Sequence, residues 1–263
     1  MKLSGLPDVS IREAKERVKT AIRNSGFNLY SRKIVVNLAP AARRKEGSIF
    51  DLPMAIGILC ANECIHSSIN DIVFIGELSL DGKVNGVSGV LPMCIELVKL
   101  GIRKVILPKD NAKEASAVCG IEIIPVESLE ETVGYLNGRI KIEKITCTRH
   151  FDEHGPSNVI DFAEVKGQKN IKRAVEVAAS GGHNMIMIGS PGSGKTMIAK
   201  RIPTILPDMD FEECLEVTKI HSVAGNLSEN TPILTTRPFR SPHHTISQVS
   251  LVGGGRYPKP RGD

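Results

Sequence analysis

Apolar positions recur along the first half of the chain at two periods, and each period predicts an element. Ile11, Ala14, Val18, Ala21 and Ile22 fall on one face of a helix that starts at Ser10, where Glu13 is spaced to close a capping box, and stops at Gly26. Leu3 to Pro7 reads as the tail of a strand, Lys33–Leu38 as a strand ended by Pro40, and Pro53–Ala61 as a second apolar helix. Ile72–Ile75 and Lys83-Val84 flank Asp81-Gly82, a dipeptide that predicts a hairpin between them. Beyond it the pattern predicts a helix over 90–100 with Gly101 as its stop, and a strand over 104–107. A helix over 111–118, a strand over 121–124 and a helix over 129–136 follow. Such alternation is that of a layered α/β domain.

The pattern breaks at Asn137-Gly138, and residues 141–158, mixed in charge and interrupted by Gly155-Pro156, read as a linker. The expected division is therefore a first domain over 1–140, the linker over 141–158 and a second domain over 159–263. In the second, a helix over 170–180 leads to the apolar run Met185-Ile-Met-Ile188, read as a buried strand, then a glycine-rich turn and a helix through Met197-Ile-Ala199. Residues 211–220 predict one more helix. The remainder is rich in proline and glycine, including Gly253-Gly-Gly255, and the chain has no internal repeat.

Composition sharpens this picture in three ways. Aromatics make up 4% of the 263 residues and Trp is absent, so the cores must be built from Ile, Leu, Val and Ala. The formal charge of +5 is concentrated late: from Thr231 onward, Arg237, Arg240, Arg256, Lys259 and Arg261 stand against Asp263 alone. Six cysteines (60, 64, 94, 119, 147, 214) form no C-x-x-C pair and predict reduced, buried thiols. No apolar run approaches the roughly 20 residues needed to cross a bilayer. The basic triplet 43–45 reads as a solvated turn.

The turn carries the chemistry. Gly189-Ser190-Pro191-Gly192-Ser193-Gly194-Lys195-Thr196 fits G-x-x-x-x-G-K-S/T between a strand and a helix. Glycines at 189, 192 and 194 allow a tight backbone that can approach a phosphate chain, and the following helix brings the positive end of its dipole. Lys195 has the length and charge to reach β- and γ-phosphates, and the Thr196 hydroxyl suits Mg²⁺. ATP with Mg is the expected cofactor.

The blocks around this turn resemble the magnesium-chelatase-like AAA+ proteins of the ComM (YifB) type. They are DFAEVKGQ and GGHNMIMIG before it, and RPFRSPHHTIS and the triple glycine after it. The first half is similar too, through GLPDVSIREAKERVKTAIRNSGF, NLAPAARRKEGSIFDLPMAIGIL and GELSLDGKVNGVSGVLPM. The resemblance implies a first domain with the fold of the Lon proteolytic and second ribosomal S5 domains, then the first part of a AAA+ module. It also implies a cytoplasmic ATPase acting as a hexameric ring of its own copies, with DNA branch migration in natural transformation as the described activity of the family's competence-linked branch. It places Val165, Gly167 and Gln168 beside the adenine, and Gly189–Thr196 around the phosphates. Compared with the family, the chain is expected to be truncated at both ends. In particular, no apolar strand closing in Asp-Glu, the Walker B pair, follows Thr196. Asp208 and Asp210 are the nearby acids, and weak hydrolysis is the consequence.

Two other functions make different demands on these residues. An ATP-dependent protease of the Lon kind needs a serine activated by a lysine. Aligning KEGSIFDLP and GELSLDGKVNGVSGVLP with the Lon dyad puts Ile49 and Leu91 at those places, with Ser48, Lys45 and Lys83 only nearby. A chelatase-type remodelling chaperone would need a grip on a metal-inserting partner, and nothing in the chain offers one. Cys60, Cys64 and His66 lack a fourth metal ligand, and adjacent His243 and His244 make a poor metal site. With Arg237 and Arg240, that histidine pair is instead a candidate contact to nucleic-acid phosphates.

Overall fold

The computed structural model describes residues 1–4, 9–29, 33–40, 45, 47–147, 160–227 and 231–241. The chain divides into two compact units, Met1–Arg149 with Lys219–Pro232, and His150–Thr218 with Ile233–Asp263.

In the first unit, strand β1 (Lys2–Ser4) pairs in parallel with β2 (Val35–Asn37), and helix α1 (Val9–Asn24) connects them. Ile11, Ala14, Val18, Ala21 and Ile22, the face picked out by periodicity, are all fully buried. The Ser10 side chain of the expected capping box lies outside the described residues. Helix α2 (Asp51–Ala61) is buried over most of its length and packs with α1 in the main core. Its first residue, Asp51, has a fully buried carboxylate that receives Arg17 Nε at 2.6 Å and Nη2 at 3.1 Å. The Leu78 amide donates to the same carboxylate at 3.2 Å. Burial pushes the Asp51 carboxyl up against the opposing pull of Arg17.

The central sheet is three-stranded, in the order β3 (Ile72–Phe74), β6 (Lys104–Pro108), β7 (Glu122–Val126), all parallel. The expected hairpin is present, with a different first strand: β4 (Glu77–Leu78) pairs antiparallel with β5 (Val84–Asn85). Ile72–Phe74 goes to β6 instead. Its side chains have a long parallel partner there, whereas the turn is closed locally by Ser79 N–H to Lys83 O and Gly82 N–H to Ser79 O, both 3.0 Å. Helix α3 (Val90–Lys99) ends as expected before Gly101, whose φ of 81° suits glycine. The helix expected over 111–118 is shorter, a 3-10 turn at Lys109–Asn111 followed by α4 (Ala112–Ala115). Helix α5 (Leu129–Leu136) has the predicted bounds and is capped by Ser128 Oγ, which accepts the Glu131 amide at 3.1 Å.

Two further expectations change. Cys119 and Cys147 are not reduced thiols: they are joined as a disulfide, while Cys60, Cys64, Cys94 and Cys214 are free. Cysteine spacing carries no cue to this bond because the partners meet through backbone pairing, with Ile145 and Ile123 exchanging hydrogen bonds at 2.9 and 3.0 Å. Lys45 is not a solvated turn charge but is buried, with its ammonium on the Pro40 carbonyl.

The second unit has a smaller core of Phe162, Val165, Val175 and Ile198, with Met185 and Met187 packed against it. Helix α6 (Lys169–Gly181) and helix α7 (Lys195–Arg201) flank the glycine-rich turn. The run Met185–Ile188 forms no strand among the described residues, and it is not buried: Ile186 and Ile188 are 85% and 93% exposed. Its alternation is that of a strand with one face seated, but a strand also needs a hydrogen-bonded neighbour, and no described segment supplies one. Helix α8 (Phe211–Ala224) begins in a reciprocal cap, with Asp210 Oδ1 accepting the Glu213 amide at 2.8 Å and Glu213 Oε2 accepting the Asp210 amide at 3.3 Å. Among the described residues no helix is long and apolar enough to cross a membrane.

Candidate nucleotide-binding site

The glycine-rich turn is built by two left-handed residues. Gly192 and Gly194 have φ of 82° and 84°, a region where a side chain would be strained, and Gly194 is the residue from which α7 starts. The first amide of that helix to bond inside it is that of Ile198, which donates to Gly194 O at 3.0 Å. The amides of Lys195, Thr196 and Met197 therefore have no intrahelical acceptor and remain as donors at the positive end of the helix. A Cβ at Gly189 would lie 3.2 Å from Ser193 Oγ, so the loop is drawn tight across its mouth.

Lys195 folds over this loop. Its ammonium donates to Gly189 O and Ser190 O at 2.8 Å each and to Ser193 Oγ at 3.2 Å. A lysine whose three donors rest on neutral acceptors at the rim of a donor-rich turn is placed to exchange them for phosphate oxygens, which are charged and stronger acceptors. Thr196 is exposed on the first turn of α7. Pro191 and Ser190 are exposed on the loop itself.

The segment before α6 is tied to the same loop. Gly167 and Gln168 both adopt left-handed conformations, with φ of 70° and 51°, and Gln168 Nε2 donates to Ser193 O at 3.3 Å. Val165 is buried in the core beneath. Asp161 Oδ1 caps the short turn Phe162–Glu164 through the Ala163 amide at 2.8 Å. Glu164 then holds Arg201 at the end of α7 through Nε at 3.1 Å and Nη2 at 2.5 Å. The Thr204 hydroxyl accepts the Phe162 amide at 3.1 Å and donates to Arg201 O at 2.8 Å. Periodicity and motif spacing missed Glu164, Arg201 and Thr204, because a pair 37 residues apart carries no local signal.

Other predicted residues fall elsewhere. Arg237 donates from Nε to Pro207 O at 2.8 Å and from Nη2 to Glu213 Oε2 at 3.0 Å, so it braces the entry to α8. Arg240 is half-buried, and His243 and His244 lie outside the described residues. Asp210 is committed to its helix cap. In the first unit the Ser48 hydroxyl donates to the Glu77 carboxylate rather than to a lysine, and Leu91 is fully buried. No group of three or more His, Cys, Asp or Glu residues that could hold a metal occurs among the described residues. The exposed Thr196 hydroxyl is an oxygen donor of the kind that suits magnesium.

Motif and turn together define the class: a P-loop protein. The family model "Magnesium chelatase, subunit ChlI" matches residues 161–262, and the model "Subunit ChlI of Mg-chelatase" matches residues 1–111. The chain is 40% identical over 261 residues to competence protein ComM of Haemophilus influenzae, covering 98% of this chain and 51% of that protein. It is 40% identical over 257 residues to the uncharacterized protein YifB of Escherichia coli, covering 97% and 50%. Lon protease 2 of Bacillus subtilis is 32% identical over 119 residues, 45% of this chain and 21% of that protein. The chain belongs to the magnesium-chelatase-like family of the ComM and YifB type. It spans about half the length of the relatives ComM and YifB.

Proposed function

We propose that this chain binds ATP with Mg²⁺ at Gly189–Thr196 and is part of a ring-forming AAA+ motor of the ComM type that acts on DNA in the cytoplasm. The observation that carries the nucleotide reading is the Lys195 ammonium resting on Gly189 O, Ser190 O and Ser193 Oγ above a turn with free helix-start amides. Bound Mg²⁺·ATP supplies the phosphoryl group and its counter-ion. Lys195 neutralises charge on the terminal phosphates, the amides of residues 194–197 orient them, and Thr196 offers its hydroxyl to the metal. Gln168, bonded to the loop, holds the adenine-side segment against it. Val165 and Gly167 would complete that side.

Turnover needs more than these residues. An attacking water must be oriented and the metal held from a second side, tasks assigned in P-loop enzymes to an acid on a neighbouring strand. Asp210 is occupied at its cap. The chain is therefore expected to bind ATP and to hydrolyse it slowly unless Asp208 takes that place. The DNA reading rests on ComM kinship and on the basic excess after Thr231. The candidate phosphate contacts are Arg237, which also bonds Glu213, together with Arg240, His243, His244, Arg256, Lys259 and Arg261.

The test is binding of a fluorescent ATP analogue with and without Mg²⁺. Lys195→Ala should weaken it at least about tenfold, roughly 1.4 kcal/mol, with the circular-dichroism spectrum unchanged. Equal affinity would make the loop structural only. Steady-state phosphate release by the same chain separates binding from turnover. Replacing Arg240, Arg256, Lys259 and Arg261 by Gln should shallow the salt dependence of DNA binding, and an unchanged slope would remove the segment from the interface.

A further inference from the structure

The nucleotide site makes no use of the Cys119–Cys147 bond, and the bond has a specific place in the chain. Cys119 lies between α4 and β7, and Cys147 stands just before the first unit's opening run of chain ends at Arg149. The bond bridges a sequence separation of 28 that includes β7 and α5.

What else holds the segment after α5 weakens toward Cys147. Ile140 is seated tightly: its amide donates to Gly134 O at 3.1 Å, and a Cβ on Gly134 would lie 2.5 Å from Ile140 Cδ1. Ile142 still packs on the main core. Beyond it, residues 143–147 meet β7 through the single bridge between Ile145 and Ile123 and through Lys144 on Glu122 at 3.0 Å, an ion pair of two exposed or half-exposed side chains. One isolated bridge opens locally at small cost, and a solvated ion pair adds little. The sulfur–sulfur bond is therefore the strongest restraint on this end of the segment.

Its two sulfurs differ in access. Cys119 is exposed and Cys147 half-buried. Arg103 Nη1 donates at 3.1 Å to the carbonyl of Gly120, the residue after Cys119, so a cation stands at the approach to the more open sulfur. Thiol–disulfide exchange proceeds by attack of a thiolate on an accessible sulfur, and a neighbouring cation favours the attacking anion. Exposed disulfides belong to the labile, regulatory class rather than the structural one.

We propose that Cys119–Cys147 is a reversible clasp, opened by low-molecular-weight thiols and closed by their disulfides, that sets whether residues 143–147 are seated on β7 or released. A small thiolate attacks Cys119 Sγ, forms a mixed disulfide there and expels Cys147 as a thiolate, which is protonated. A second small thiolate attacks the small-thiol sulfur of that mixed disulfide, and Cys119 leaves as a thiolate that is protonated in turn. Two small thiols are oxidised to one small disulfide, and the protein gains two electrons and two protons as a pair of thiols. Closure runs the same steps backwards, with the small disulfide as oxidant.

The test is amide hydrogen exchange of the full 263-residue chain, read by mass spectrometry in oxidised or in reduced glutathione. In the oxidised buffer Ile145 should be protected. In the reduced buffer its exchange should accelerate at least about tenfold, while the amides of β6 keep their rates. Cys147→Ser should exchange at the fast rate in both buffers, with an unchanged circular-dichroism spectrum. Samples of the oxidised chain quenched with acid soon after mixing with reduced glutathione should carry the adduct on Cys119. Equal protection of Ile145 in the two buffers would overturn the proposal, because the segment would then be held without the bond. Faster exchange that extends through β6 would overturn it too, since the bond would then support the whole unit. An adduct on Cys147 would overturn the assignment of Cys119 as the sulfur attacked.

Discussion

Strand β6 in the first unit and the run 185–188 in the second are both short, apolar and β-branched or methionine-rich, and they end differently. Val105, Ile106 and Leu107 are fully buried, because β6 has β3 on one side and β7 on the other. In Met185–Ile188 the methionines are half-buried on a small core while Ile186 and Ile188 stand in the open. The difference lies in the neighbours. An apolar run specifies that a segment gains by burial, but ladder bonds and the second covered face come from other segments.

The same contrast holds for ion pairs, and its largest test is there. Arg17 serves a fully buried carboxylate, whereas Glu164 and Arg201 meet at the surface of the glycine-loop region. Arg17→Met should cost about 3 to 5 kcal/mol at neutral pH, since it leaves Asp51 buried and unpaired. Glu164→Gln should cost about 0 to 1 kcal/mol. The pH dependence has a definite sign. Burial holds the Asp51 carboxyl above its unfolded value, so the folded state binds the extra proton, and stability falls as pH rises through that window. Part of the Arg17→Met loss should therefore return on acidification. Urea titrations of variant and parent at pH 7 and pH 5 check both points, and a loss independent of pH would show that Asp51 is not the group left stranded.

Next in size is the strand comparison itself. Ile106→Ala removes a fully buried side chain and should cost about 2 to 5 kcal/mol. Ile188→Ala, at 93% exposure, should stay within about 0.5 kcal/mol. A large loss at Ile188 would mean that the run is covered in solution. Smaller again are the caps, in which the two units are alike: Ser128→Ala at α5 and Asp210→Ala at α8 should each cost about 0.5 to 2 kcal/mol by thermal denaturation.

Thiol chemistry gives the finest contrast. Denatured without reductant, the chain should show four reactive thiols, from Cys60, Cys64, Cys94 and Cys214, and six after reduction. In the native state Cys94, whose thiol is pushed up to about 12 by burial, should stay unreactive toward a thiol reagent at pH 8. Six thiols before reduction would remove the Cys119–Cys147 bond.

Helices and the glycine-rich turn were legible in the chain itself. The buried face of α1, the bounds of α5 and the conformations of Gly192 and Gly194 follow from interactions within a few residues, which periodicity, caps and glycine placement encode directly. The fixed spacing of Gly189–Thr196 likewise brought Lys195 onto its own loop. Tertiary structure alone decided which strand Ile72–Phe74 joins, that Cys119 meets Cys147, that Arg237 braces Glu213, and that Met185–Ile188 lacks a described neighbour. Each of these depends on partners tens of residues away, and a strand, a disulfide or a long-range ion pair has no energy of its own until the fold delivers the other half.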